Sequence, residues 1–135
     1  MKIRFALAAL ALGSAAMLPS ALAEESLDGK GVVEAKFDAK AKKVNIVIKG
    51  KSDGIYVNKD YPLKCTLKAK DGGKVDKTEL KKEDAKYEDV AGKAGKAKTA
   101  TFSVGADKNV EGECKMVVCS DSACSSPFKV SFTSN

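Results

Sequence analysis

The chain has 135 residues, a net charge of +6 from 24 basic and 18 acidic side chains, four cysteines and no histidine. Lack of histidine removes every mechanism that runs through imidazole, and Asp and Glu scattered among lysines form no acid–base constellation, so neither a hydrolase nor a transferase is expected. Sulfur is the one soft, redox-active group left.

Lys2 and Arg4 open the chain, an apolar stretch covers residues 5–18, Pro19 breaks it, and Ala21-Leu22-Ala23 fits a small-x-small cleavage site before Glu24. Residues 1–23 therefore read as a secretory signal peptide. Their apolar part is shorter than the roughly 20 residues that cross a bilayer, so no membrane span is expected in the mature chain. Export implies a periplasmic or secreted protein in an oxidising compartment, where disulfides persist. Residues 24–135 suit one domain by size. They hold all the acids and all but two of the basic residues, a net +4, and every cation among them is lysine. These lysines alternate with acids rather than gathering with arginine and aromatics on one face, so no nucleic-acid partner is expected.

Along that segment, residues 32–37 form a weak strand candidate. Val44, Ile46 and Ile48 then alternate with Lys43, Asn45 and Lys49, and Leu63, Cys65, Leu67 and Ala69 alternate with Lys64, Thr66, Lys68 and Lys70. That period of two describes strands with one wet face. Residues 76–89 are rich in Lys and Glu with thin apolar content. Residues 78–83 have the propensity for a helical turn, but the stretch reads as a long connection with one short strand at 87–90. Residues 91–97, with their Gly-Lys and Ala-Lys repeats, read as a low-complexity bend. Alternation returns at Ala100, Phe102 and Val104, again over residues 112–120, and at Phe128, Val130 and Phe132. Turn signals separate these runs at 38–42, 50–54, Asp71-Gly72-Gly73, 92–95 and Asp107-Lys108-Asn109. Short strands at this spacing predict an all-β fold, an antiparallel immunoglobulin-like β-sandwich.

Parity places the cysteines. If 112–120 is one regular strand, Cys114, Met116 and Val118 share the inner face, while Lys115, Val117 and Cys119 share the other. Cys114 and Cys119 then stand about 16 Å apart, beyond the bridging limit near 7 Å. Four cysteines allow three pairings. Parity favours a sheet-to-sheet structural disulfide between Cys65 and Cys114, leaving Cys119 with Cys124 across a short hairpin loop. In the chain-entropy account the first closes roughly 50 residues and stabilises by about 4 kcal/mol, and the second closes a short loop for about 2 kcal/mol. The spacings lack the paired C-x₂-C pattern of a zinc site, and neither a metal nor a cofactor is expected. The loop itself offers Asp121 and serines, so only Lys115 and Lys129 are expected to favour a thiolate at the second pair.

Val118-Cys119, four intervening residues, Cys124 and then Pro127, followed by the alternating strand 128–132, resemble the active-site hairpin of the N-terminal periplasmic domain of DsbD-type thiol:disulfide interchange proteins. Residues 54–62, Gly-Ile-Tyr-Val-Asn-Lys-Asp-Tyr-Pro, are similar to that family's early segment. The resemblance implies an immunoglobulin-like fold and a redox pair, Cys119 and Cys124, that shuttles between dithiol and disulfide. It gives Cys124 the mixed disulfide and Cys119 the resolving role, and it implies a thioredoxin-like or other envelope protein as partner. An aromatic cap loop shields the pair in that family, which makes Tyr56 and Tyr61 the cap candidates. Met116 and Val117 stand where the family carries an aromatic and a glutamine, and the Cys65 and Cys114 pair is additional. Those departures motivate a second expectation, a non-catalytic secreted binding or envelope domain with two structural disulfides.

Overall fold

Alternating lysine or threonine with aliphatic residues yields extended chain wherever it occurs in the computed structural model, which describes residues 26–135. The expected signal peptide at 1–23 lies outside the described residues. In chain order the strands are β1 (Gly31–Asp38), β2 (Lys43–Gly50), β3 (Tyr56–Asn58), β4 (Lys64–Ala69), β5 (Glu79–Lys81), β6 (Lys86–Asp89), β7 (Lys96–Gly105), β8 (Val110–Met116), β9 (Val118–Cys119) and β10 (Phe128–Thr133). All pair antiparallel, in two sheets.

In the first sheet β1 pairs β2, β2 pairs β7, and β7 pairs β6. In the second the order is β10-β8-β4-β5. Lettered along the chain, these are the A-B-E-D and G-F-C-C′ orders of an immunoglobulin-like sandwich. Two short strands are added to that plan. Ala97 has partners on both edges, Val57 and Asp89, and so does Ala100, with Ile48 and Tyr87. Strand β6 therefore occupies one edge of β7, while β2 and then β3 share the other. Strand β3 resumes the line of β2 after an excursion over residues 51–55. Gly50 closes that excursion, because a Cβ there would fall onto the Ile55 carbonyl.

The core lies between the sheets. Val44, Ile46, Ile48 and Phe102 come from the first sheet and Cys65, Leu67, Leu80, Val110, Cys114 and Met116 from the second, none more than 5% exposed. Burying each large aliphatic or aromatic side chain contributes roughly 1.5–3 kcal/mol. The outer face of the second sheet is wet. It carries the cross-strand ion pairs Lys64–Glu79 (3.0 Å), Lys68–Glu111 (3.4 Å) and Lys129–Glu113 (3.5 Å). These pairs are open to water and add little stability; they keep that face solvated.

Three local expectations are corrected. The stretch 76–89, read as a long connection with one short strand, holds a further strand: Glu79–Lys81 is extended and Lys82–Asp84 is a single 3-10 turn, whose Asp84 Oδ2 accepts the Lys81 backbone N–H (3.0 Å). The only apolar side chain in β5, Leu80, is buried opposite Cys65, and that tertiary contact overrides helical propensity. The short strand following is Lys86–Asp89 rather than 87–90.

The third correction concerns 112–120, which is not one strand. Strand β8 belongs to the second sheet, the chain crosses at Val117, and β9 joins the first sheet beside β3, with Val118 opposite Val57 and Cys119 opposite Tyr56. Met116, Val117 and Val118 are all buried in succession, which a strand with one wet face cannot do. Strands that pass between layers make the corners of a sandwich.

Candidate functional site

The four cysteines form Cys65–Cys114 and Cys119–Cys124 disulfides, with Cα atoms 4.0 and 3.9 Å apart. Cys65 and Cys114 face each other in register on the neighbouring strands β4 and β8. The bond therefore lies within one sheet and does not link the two sheets as expected. Both residues are fully buried in the core.

Cys119 and Cys124 differ in setting. Cys119 is only 2% exposed, yet it stands outside the main core cluster. Val118 occupies the core side of β9, so parity gives Cys119 and its partner Tyr56 the opposite side. Cys124 is exposed. Burial of Cys119 departs from a simple outward-facing position.

Serines shape the loop between them. The Ser120 N–H donates to the Ala123 carbonyl (2.8 Å), while Ser120 Oγ accepts the N–H groups of Ser122 (3.3 Å) and Ala123 (3.2 Å). Beyond Cys124, the Ser125 N–H donates to the Val118 carbonyl (2.8 Å), and Ser125 Oγ accepts the Val118 N–H (3.1 Å). Such short side-chain to backbone bonds stabilise a turn without glycine. The chain then docks on the N-terminal segment, where Asp28 Oδ1 accepts the Ser126 N–H (2.8 Å).

A second loop, between β6 and β7, reaches this hairpin. Gly92 and Gly95 both adopt φ of +76°, a left-handed geometry that favours glycine and turns the chain tightly around Lys93. The Lys93 ammonium lies 2.6 Å from Asp121 Oδ1 within the cysteine loop and 5.8 Å from the centre of the Tyr56 ring. The hydrogen bond and charge of Asp121 push the Lys93 amine up, and the same contact from Lys93 holds the Asp121 carboxyl low. On the other flank, the Lys59 N–H donates to the Gly95 carbonyl (2.8 Å) and the Lys59 ammonium meets Asp89 (2.6 Å), which fixes the loop base.

Of the two tyrosines expected to cover the disulfide, Tyr56 is the register partner of Cys119. Tyr61 belongs to the turn after β3, where Asn58 Oδ1 accepts its backbone N–H (3.3 Å) and that of Asp60 (2.8 Å). Lys115 and Lys129 pair with each other in register on the second sheet, where Lys129 meets Glu113, and do not reach the hairpin as expected from sequence. The cation bonded to the hairpin is Lys93, and the charge of Lys96 also acts on Asp121. The glycines flanking Lys93 announce a turn, but nothing local ties that turn to a loop 28 residues further on.

Among the described residues no group of three or more His, Cys, Asp or Glu side chains is placed to hold a metal ion, and no helix is long and apolar enough to cross a membrane. A depression of about 560 Å³ on the second sheet is lined by Thr66, Lys68, Glu111 and Ser131, side chains of the solvated ion-pair face rather than of the hairpin. No protein-family model, curated protein or solved structure matches the chain.

Proposed function

We propose that the protein is an exported immunoglobulin-like domain that exchanges disulfides with a periplasmic or secreted partner through Cys119 and Cys124, as its resemblance to the DsbD N-terminal domain suggests. The observation that supports this is the asymmetry of the pair: an exposed Cys124 joined to a Cys119 that is 2% exposed. A partner thiolate attacks the Cys124 sulfur, the S–S bond breaks, and Cys119 leaves as a thiolate that takes up a proton. The partner's second thiol, deprotonated, then attacks its own sulfur in the mixed disulfide and releases Cys124. The partner ends oxidised by two electrons and the hairpin reduced; the reverse sequence oxidises the hairpin. A thioredoxin-like or other envelope dithiol is the partner class that fits. Burial of Cys65 and Cys114 keeps that bond out of the exchange.

A second function is favoured by the bonding of residues 118–125, which ties the hairpin closely, and by the pairing of Lys93 with Asp121. In that case both disulfides are structural, and the domain serves in binding or envelope architecture. Equilibration with glutathione or dithiothreitol buffers, followed by thiol mapping, separates the two. Exchange predicts a Cys119–Cys124 couple above about −300 mV, and a Cys119→Ser variant that traps a mixed disulfide through Cys124. A couple well below that value, with no trapped species, refutes exchange and leaves the structural role.

A further inference from the structure

The geometry points to Lys93 and Asp121 as a latch that positions the cysteine loop and so sets how readily the Cys119–Cys124 disulfide opens. The inference deepens the exchange function proposed above and concerns the same bond. Three separate elements meet there. Lys93 comes from the turn between Gly92 and Gly95, Asp121 from the loop itself, and Tyr56 from β3, where it faces Cys119 in register. The turn is held at its base by Lys59, so the ammonium is presented from a fixed point rather than from a free loop.

The consequence follows from loop entropy. When the disulfide opens, Cys119 stays in β9, and Cys124, bridged opposite it and followed by Ser125 bonded to Val118, is held further by the loop over 120–123. A loop pinned through Asp121 keeps Cys124 close to Cys119 and raises the effective concentration of one sulfur at the other, which favours re-closure. Without the pin the dithiol gains conformations, and the couple becomes easier to reduce. The Lys93 side chain is 34% exposed and that of Asp121 66%, so solvent screens the pair and the effect is modest. A half-exposed ion pair changes the closing equilibrium by about two- to five-fold. For a two-electron couple that corresponds to about 9–21 mV.

Charge alone predicts a different pattern. An unpaired Lys93 near the sulfurs stabilises a thiolate and eases reduction, while an unpaired Asp121 opposes it. Lys93→Met and Asp121→Asn then shift the couple in opposite directions. A latch requires both to shift it in the same direction, towards less negative values, by equal amounts, and requires the double variant to shift it no further.

The test is the potential of the full mature protein and these three variants in glutathione buffers, with the buried Cys65–Cys114 bond as internal control. Equal, non-additive shifts with an unchanged control support the latch. Opposite shifts, or none, overturn it. Trapping through Cys119→Ser is scored separately. A shift without trapping leaves the latch and removes the exchange function; trapping without a shift does the reverse.

Discussion

Replacing both Cys65 and Cys114 by alanine is expected to cost far more than replacing Cys119 and Cys124. The β4–β8 ladder already holds Cys65 and Cys114 opposite each other, so their bond adds few native contacts and acts mainly by restricting the unfolded chain. The bonds join cysteines 49 and 5 residues apart. Chain entropy at those separations gives about 4 kcal/mol for the core bond and about 2 kcal/mol for the hairpin bond. Both core sulfurs are fully buried, so alanine also leaves a small void that adds to the first cost. Against a typical stability of roughly 5–15 kcal/mol, loss of the core bond removes a large share of the total. Equilibrium unfolding in guanidinium, followed by circular dichroism because the chain has no tryptophan, should show a much lower midpoint for the core variant and a smaller drop for the hairpin variant. A core cost below about 1 kcal/mol, or a hairpin cost equal to it, would refute the account.

Ser134→Ala should destabilise by about 1–3 kcal/mol, since the buried Ser134 Oγ accepts the Val110 N–H (2.8 Å) and donates to Asn109 Oδ1 (2.8 Å). Thermal melts of Ser134→Ala and Ser134→Thr check this: threonine keeps the hydroxyl and should lose less. For Asp121, the folded carboxyl is held below its ordinary value by Lys93, so its ion pair is complete above the ordinary carboxylate pKa and fades as pH falls through the lowered one. Lys93 is raised, so its side of the pair persists until pH climbs through that higher value. Carboxyl-carbon NMR should therefore show a midpoint for Asp121 that rises in Lys93→Met, and an unchanged midpoint would rule out the contact.

Much of the sandwich was legible because strands with one wet face alternate, without error over residues 63–70 and with Val47 as an interruption between Ile46 and Ile48. Val44 to Ile48, Leu63 to Ala69, Ala100 to Val104 and Phe128 to Phe132 all fall in strands or at a strand's start, and their expected inward side chains are buried except Ala69, Phe128 and Val130, which are half-buried. Strand β5 was hidden because three residues with one apolar side chain, Leu80, carry no period. The crossing at Val117 had a signal that alternation alone misses: three consecutive apolar residues, Met116, Val117 and Val118, cannot share one buried face. At the hairpin, the cysteine spacing was readable, but Lys93 was not. An ion pair between distant loops depends on where the two sheets place their turns, and no local pattern records that.

The crossing at Val117 also separates two mechanical duties. Cys114 is bolted into the second sheet, and a few residues later Cys119 is laid into the first, so the chain between them is anchored at both ends. Strand β10, beyond the hairpin, is zipped to β8 along six register pairs and does not rely on the hairpin bond for its place. Opening Cys119–Cys124 therefore slackens one loop while the structure on either side of it stays shut. Loss of that bond is expected to stay a local event, insulated from global unfolding.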